Sequence, residues 1–223
     1  MENWAGWTIA ITVALSVAST LGVTYFGHRL GLAKKKLLRQ DELDRHARYQ
    51  AIRVVCTLDP FVSECCNVVY DHGLPGNEGV MYPQVADPTI SFPEDMDWKP
   101  IKPDLMYRVL GVPIGVDIAR QSIDSVAENI AEPPDRSEYF EERIIQYGRL
   151  GLAALVLADE IRHAYNIPER DFADWHPKET LERAVAIVEE EREESQARQR
   201  EIPEEATVAT ETKPGGNGTE QKK

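Results

Sequence analysis

Residues 137–165, SEYFEERIIQYGRLGLAALVLADEIRHAY, decide what kind of fold this chain can adopt. Phe140, Ile144, Tyr147, Gly151, Ala154, Ala158, Ile161 and Tyr165 follow one another in steps of four and three. That spacing keeps returning to one face of a helix, whereas a strand would need alternation. It reads as a helix-packing seam, with small residues at its middle where a neighbour can come close. Asp135 with Glu138, or Ser137, caps the start, and Asn166 and Pro168 stop the helix near Tyr165. Residues 150–158 are apolar on every side, which predicts a central, buried stretch. Nine uncharged residues between Arg149 and Asp159 are too few to span a bilayer, which takes about 20.

The same helical spacing extends outward from this element, so the fold class expected is all-α. Leu43, Ala47, Ala51, Val54 and Leu58 form one stripe, and Asp59-Pro60 reads as the N-cap of a short helix ending near His72-Gly73. Residues 74–103 hold six prolines and almost no periodicity, which predicts a long loop, with Tyr82, Phe92 and Trp98 as anchors of an extended strap. Helical spacing resumes at residues 104–110, closed by Gly111, and again from Pro113 to about Ala131, with Ala119, Ile123, Val126 and Ile130 as its stripe. A last helix starts at His176-Pro177 and buries Leu181, Ala184, Val185 and Val188. Past it the apolar stripe ends in EEEREESQARQREIPEE, and residues 201–223 are expected to be an acidic, disordered tail.

The N-terminus is of another kind. Residues 3–27 carry no formal charge over 25 positions, roughly 37 Å of helix against a bilayer core about 30 Å thick. Trp4 and Trp7 mark one end and Tyr25 and Phe26 the other, where aromatic rings favour the interface. A transmembrane helix is therefore expected at residues 7–28, after a short outer N-terminus at residues 1–6. Arg29, Lys34, Lys35, Lys36 and Arg39 follow it, while no Lys or Arg precedes it. This bias orients the C-terminal side toward the cytoplasm of a cell membrane, and the same cations suit anionic lipid headgroups. A cleaved signal peptide would start with basic residues and have a shorter apolar run. Ala10, Ala14, Ala18 and Gly22 form a small-residue row, and Thr8, Thr12, Ser16, Thr20 and Thr24 a hydroxyl row. Such rows let membrane helices associate, so the expected partners are the bilayer and a second copy or another membrane protein. A juxtamembrane segment and helix at residues 29–58 leads into a cytoplasmic bundle of four or five helices at residues 59–200.

Chemistry is sparsely marked. The formal net charge of −13 excludes a general nucleic-acid surface, which needs clustered cations. There is no P-loop, GxGxxG, GxSxG or HExxH, so no catalytic residue and no cofactor is assigned and an enzyme is not the favoured reading. Glu160 and His163 share the Glu-x-x-His spacing of di-iron bundles and supply the alternative, a membrane-anchored metal-dependent enzyme. No second copy of the motif accompanies them. Cys56, Cys65, Cys66 and His72 have zinc-ligand chemistry but no zinc-ligand spacing, and the cysteines read as small apolar residues. The pentapeptide RLGLA occurs at residues 29–33 and 149–153, but its flanks diverge at once and it is not a repeat.

Overall fold

Helix propensity and the stripes above converge on four α-helices among the described residues: α1 (Asn3–Val68), α2 (Pro103–Asn129), α3 (Ser137–Ala164) and α4 (Pro177–Glu201). This computed structural model describes residues 3–76, 78–173 and 175–201, and their side chains except at residues 3–33, 199 and 201. Two short strands, β1 (Leu74–Pro75) and β2 (Met81–Tyr82), pair antiparallel within the loop that joins α1 to α2. The fold is all-α, as the spacing predicts.

The expected helix boundaries at Pro60 and Pro113 do not hold. α1 runs through Pro60 rather than stopping at Leu58, so Asp59 is not an N-cap. Proline removes one backbone bond and crowds the carbonyl four residues back. Pro60 and Cys56 are both exposed, so water can reach the carbonyl left unpaired. α2 likewise continues through Gly111 and Pro113 as one helix. Leu105 and Val109 are buried before that point, and Val116, Ala119 and Ile123 after it. Packing on both flanks outweighs the local cost, because tertiary burial supplies most helical stability. Four helices therefore replace the larger number expected.

The chain divides into two compact units, each built from stretches of several helices. The first comprises Met1–Pro60, Ile90–Val112 and Val156–Asp171. Its core joins Val54 and Leu58 of α1, Met96 and Ile101 of the loop, Leu105 and Val109 of α2, and Leu157, Ala158 and Ile161 of α3. The second comprises Phe61–Thr89, Pro113–Leu155 and Phe172–Lys223. Phe61, Val62 and Cys65 of α1, Ile123 of α2, Phe140, Ile144 and Tyr147 of α3, and Leu181 and Val185 of α4 are buried in it.

Close helix approach in the second unit rests on two glycines of α3. A Cβ on Gly151 would lie 2.8 Å from Cys65 Cβ and 3.0 Å from a Leu181 methyl, so the gap predicted in the seam is filled by α1 and α4. A Cβ on Gly148 would meet a Val185 methyl at 2.4 Å, a contact that lies off the seam. The prediction that residues 150–158 are buried on every side is corrected: Ala153 and Val156 are exposed. The stripe forecast in α2 also fades early, since Ile130 is exposed.

Among the described residues no helix is long and apolar enough to cross a membrane. The span expected at residues 7–28 and the outer N-terminus at residues 1–6 lie outside the described side chains. So do Ala10, Ala14, Ala18, Gly22 and Arg29; of the tail expected at residues 201–223, Glu201 ends α4 and the rest lies outside the described residues.

Candidate functional site

The loop that follows α1 is organised by charge. Arg143, on α3 in the second unit, has a side chain only 2% exposed. Its Nη1 donates to Asp71 Oδ2 at 3.0 Å, its Nη2 to Asp87 Oδ1 at 3.0 Å and to the Val85 carbonyl at 2.8 Å. Asp71 in turn accepts the backbone N–H groups of Gly73, Gln84 and Val85 at 3.0, 2.9 and 2.9 Å. Burial pushes the Asp71 carboxyl up, but the Val85 N–H, Arg143, Gly73 and Gln84 outweigh it and hold it below the usual carboxylate range. Gly73 closes the corner at φ +76°, with the Phe140 ring where a side chain would start. Only glycine fits there.

This corner fixes one wall of a cleft of about 370 Å³ within the second unit. Val69, Tyr70 and His72 come from the residues just after α1, and Ile144 from α3. The facing wall is Trp175, His176 and the first three turns of α4, with Glu179, Arg183 and Ile187. Val69, Ile144 and Val188 are buried and form its apolar floor. Trp175 is held by an edge-to-face contact with Phe172 at 5.5 Å and by its backbone N–H on the Phe172 carbonyl at 3.0 Å. The volume falls at the small end of the roughly 300–1,000 Å³ usual for ligand pockets.

Among the described residues His72, His176, Glu179 and Arg183 make no side-chain hydrogen bond or ion pair. Glu179 and Arg183 stand one helical turn apart in the order that favours pairing, yet they remain unpaired. A free carboxylate, a free guanidinium and two imidazoles rim an apolar floor. Sequence spacing could not reveal this, because His72 and Arg183 lie far apart in the chain and only the fold brings them to one opening.

The Glu-x-x-His pair belongs to the first unit, where Glu160 is engaged by an arginine. Glu160 forms a two-pronged ion pair with Arg108 of α2, Arg108 Nη2 reaching Glu160 Oε1 at 3.0 Å. Those donors hold its carboxyl below its ordinary value. His163 is exposed, and among the described residues no three His, Cys, Asp or Glu side chains are grouped to hold a metal. In the same unit Arg162 is buried and binds Asp59 at 2.7 and 2.6 Å and Asp159 at 3.0 Å. The aspartate expected to cap a helix instead neutralises a buried cation.

The cysteines divide by face. Cys56 is exposed, whereas Cys65 and Cys66 are buried, and burial pushes the Cys66 thiol up to about 11. Lys34, Lys35, Lys36 and Arg39 are exposed. No family model, no curated protein and no solved structure matches this chain.

Proposed function

We propose that this chain is a single-pass membrane protein whose helical part acts as an interaction or scaffold module on the cytoplasmic side. The observation that carries this reading is the stretch of α1 at residues 34–46. Every side chain in it is exposed, Leu37 and Leu43 at 66% and 53%, although the helix continues unbroken from Asn3 to Val68. Such a stretch is a stem, about 20 Å long, between the uncharged N-terminal segment and the packed helices. Apolar side chains along a bare stem favour pairing with another helix over solvation. The uncharged 25-residue run and the cations that follow it support the anchor and its orientation. The net charge of −13 disfavours nucleic acid as the partner.

Two measurements test the reading. A fluorescent reporter that matures only in the cytosol, fused after Lys223, should be active, and an export-dependent reporter at the same place should be silent. The reverse pattern overturns the orientation. Crosslinking in native membranes should give a dimer or higher species that weakens when Ala14, Ala18 and Gly22 are changed together to Leu. An unaltered ladder, or none in the parent protein, removes self-association through that row.

A further inference from the structure

We propose that the cleft between the end of α1 and the start of α4 binds a small zwitterion with an apolar side chain, of the free α-amino acid class. Three observations lead there. The floor is apolar and buried at Val69, Ile144 and Val188. The rim carries one formal charge of each sign, Arg183 and Glu179, and neither is neutralised by the protein among the described residues. His72 and His176 add ring N–H donors on the same opening, also without partners.

A simple organic anion fits this rim poorly, because it would leave Glu179 facing like charge. A simple cation fits poorly for the mirror reason at Arg183. A zwitterion satisfies both: its carboxylate accepts from the Arg183 guanidinium and an imidazole, and its ammonium donates to Glu179. The fork of a guanidinium matches a carboxylate in two parallel hydrogen bonds. A large aliphatic or aromatic side chain then lies on the floor and against Trp175, excluding water from apolar surface. The small volume restricts the ligand to about the size of one amino acid. The cleft lies wholly within the second unit, so it stands or falls separately from the membrane anchor.

The test is calorimetric titration of the full-length protein in detergent micelles with L-leucine, L-phenylalanine, N-acetyl-L-leucine, L-leucinamide, leucyl-leucine and octanoate. Leucine or phenylalanine should bind saturably, while the N-acetyl and amide forms, each lacking one charge, should bind about tenfold more weakly or not at all. Arg183→Gln and Glu179→Gln should each weaken the parent ligand by a similar factor. Both residues are exposed, and far-ultraviolet circular dichroism checks that the variants remain folded. Tighter binding of leucyl-leucine than of leucine would overturn the free amino acid as the ligand. Octanoate binding as well as leucine, with Glu179→Gln unchanged, would overturn the proposal in favour of a plain carboxylate. No saturable binding of any amino acid or dipeptide up to about 10 mM would overturn it outright.

Discussion

Replacing Arg143 by Met should open the loop after α1 at a cost of about 3–5 kcal/mol, the usual penalty for removing one partner of a buried ion pair. The size follows from what is left behind. Asp71 is as buried as Arg143, each side chain 2% exposed, and would keep its three backbone N–H donors but lose its counter-charge. Asp87 is part-exposed and can return to water, so most of the cost falls on Asp71. Amide exchange of the peptide containing Gln84 and Val85 is the direct assay, since both N–H groups are tied to Asp71. Their exchange should accelerate by roughly two to four orders of magnitude. The deficit should also depend on pH. The Asp71 carboxyl is lowered in the folded protein, so its contribution is present above the unfolded value near 3.9 and fades as pH falls through the folded one. The gap between parent and Arg143→Met should therefore narrow on acidification, because a protonated Asp71 no longer needs the cation. Asp71→Asn combined with Arg143→Met should cost less than the two singles added together. A loss below about 1 kcal/mol, with unchanged exchange at Gln84 and Val85, would refute this account of the loop.

Other outcomes follow from single contacts. Arg162→Met should destabilise the first unit by about 3 kcal/mol in urea titration, because Asp59 loses its buried partner. Gly148→Ala and Gly151→Ala should each lower the unfolding midpoint by about 1–3 kcal/mol equivalent, since the new methyl collides with Val185 or with Cys65 and Leu181. Gly111→Ala, where a Cβ meets nothing within 4 Å, should instead stabilise α2 by about 0.5–1 kcal/mol. The Tyr147 hydroxyl is buried and among the described residues has no partner in hydrogen-bonding geometry. Tyr147→Phe should therefore be neutral or stabilising by thermal unfolding, and a loss above about 1 kcal/mol would reveal a bond that the geometry does not show.

Helix α3 was legible because its signal is local and redundant. Eight positions agree on one face, the helix ends at Ala164 just before Asn166 at φ +52°, and Gly151 proves to be the point of close approach. At its start Arg136 at φ +53°, and not Asp135 or Ser137, stands immediately before the first turn. α4 was legible for the same reason, with His176-Pro177 marking its start. The prolines misled because their cost of about 3 kcal/mol is local, whereas the burial that outweighs it comes from residues distant in sequence. The roles of Arg143 and Arg162 are not legible in the sequence for a related reason. A lone arginine within a helix reads as a solvated face, and nothing nearby in the chain announces Asp71, Asp87 or Asp59 as partners. The cleft combines this with a second difficulty, since its free charges carry meaning only through the absence of neighbours in space.

By itself the sequence determined the all-α class, the 74–103 loop, the seam of α3 and the expectation of a basic-flanked anchor. Each rests on periodicity, composition or capping, which act over a few residues and need no partner. Tertiary structure alone decided that helices run through Pro60 and Pro113, that Glu160 serves Arg108, and that His72, Glu179 and Arg183 meet at one opening. Those outcomes depend on which distant side chains share a boundary. Desolvation and Coulomb energies are set by three-dimensional neighbours, and the order of residues along the chain does not specify them.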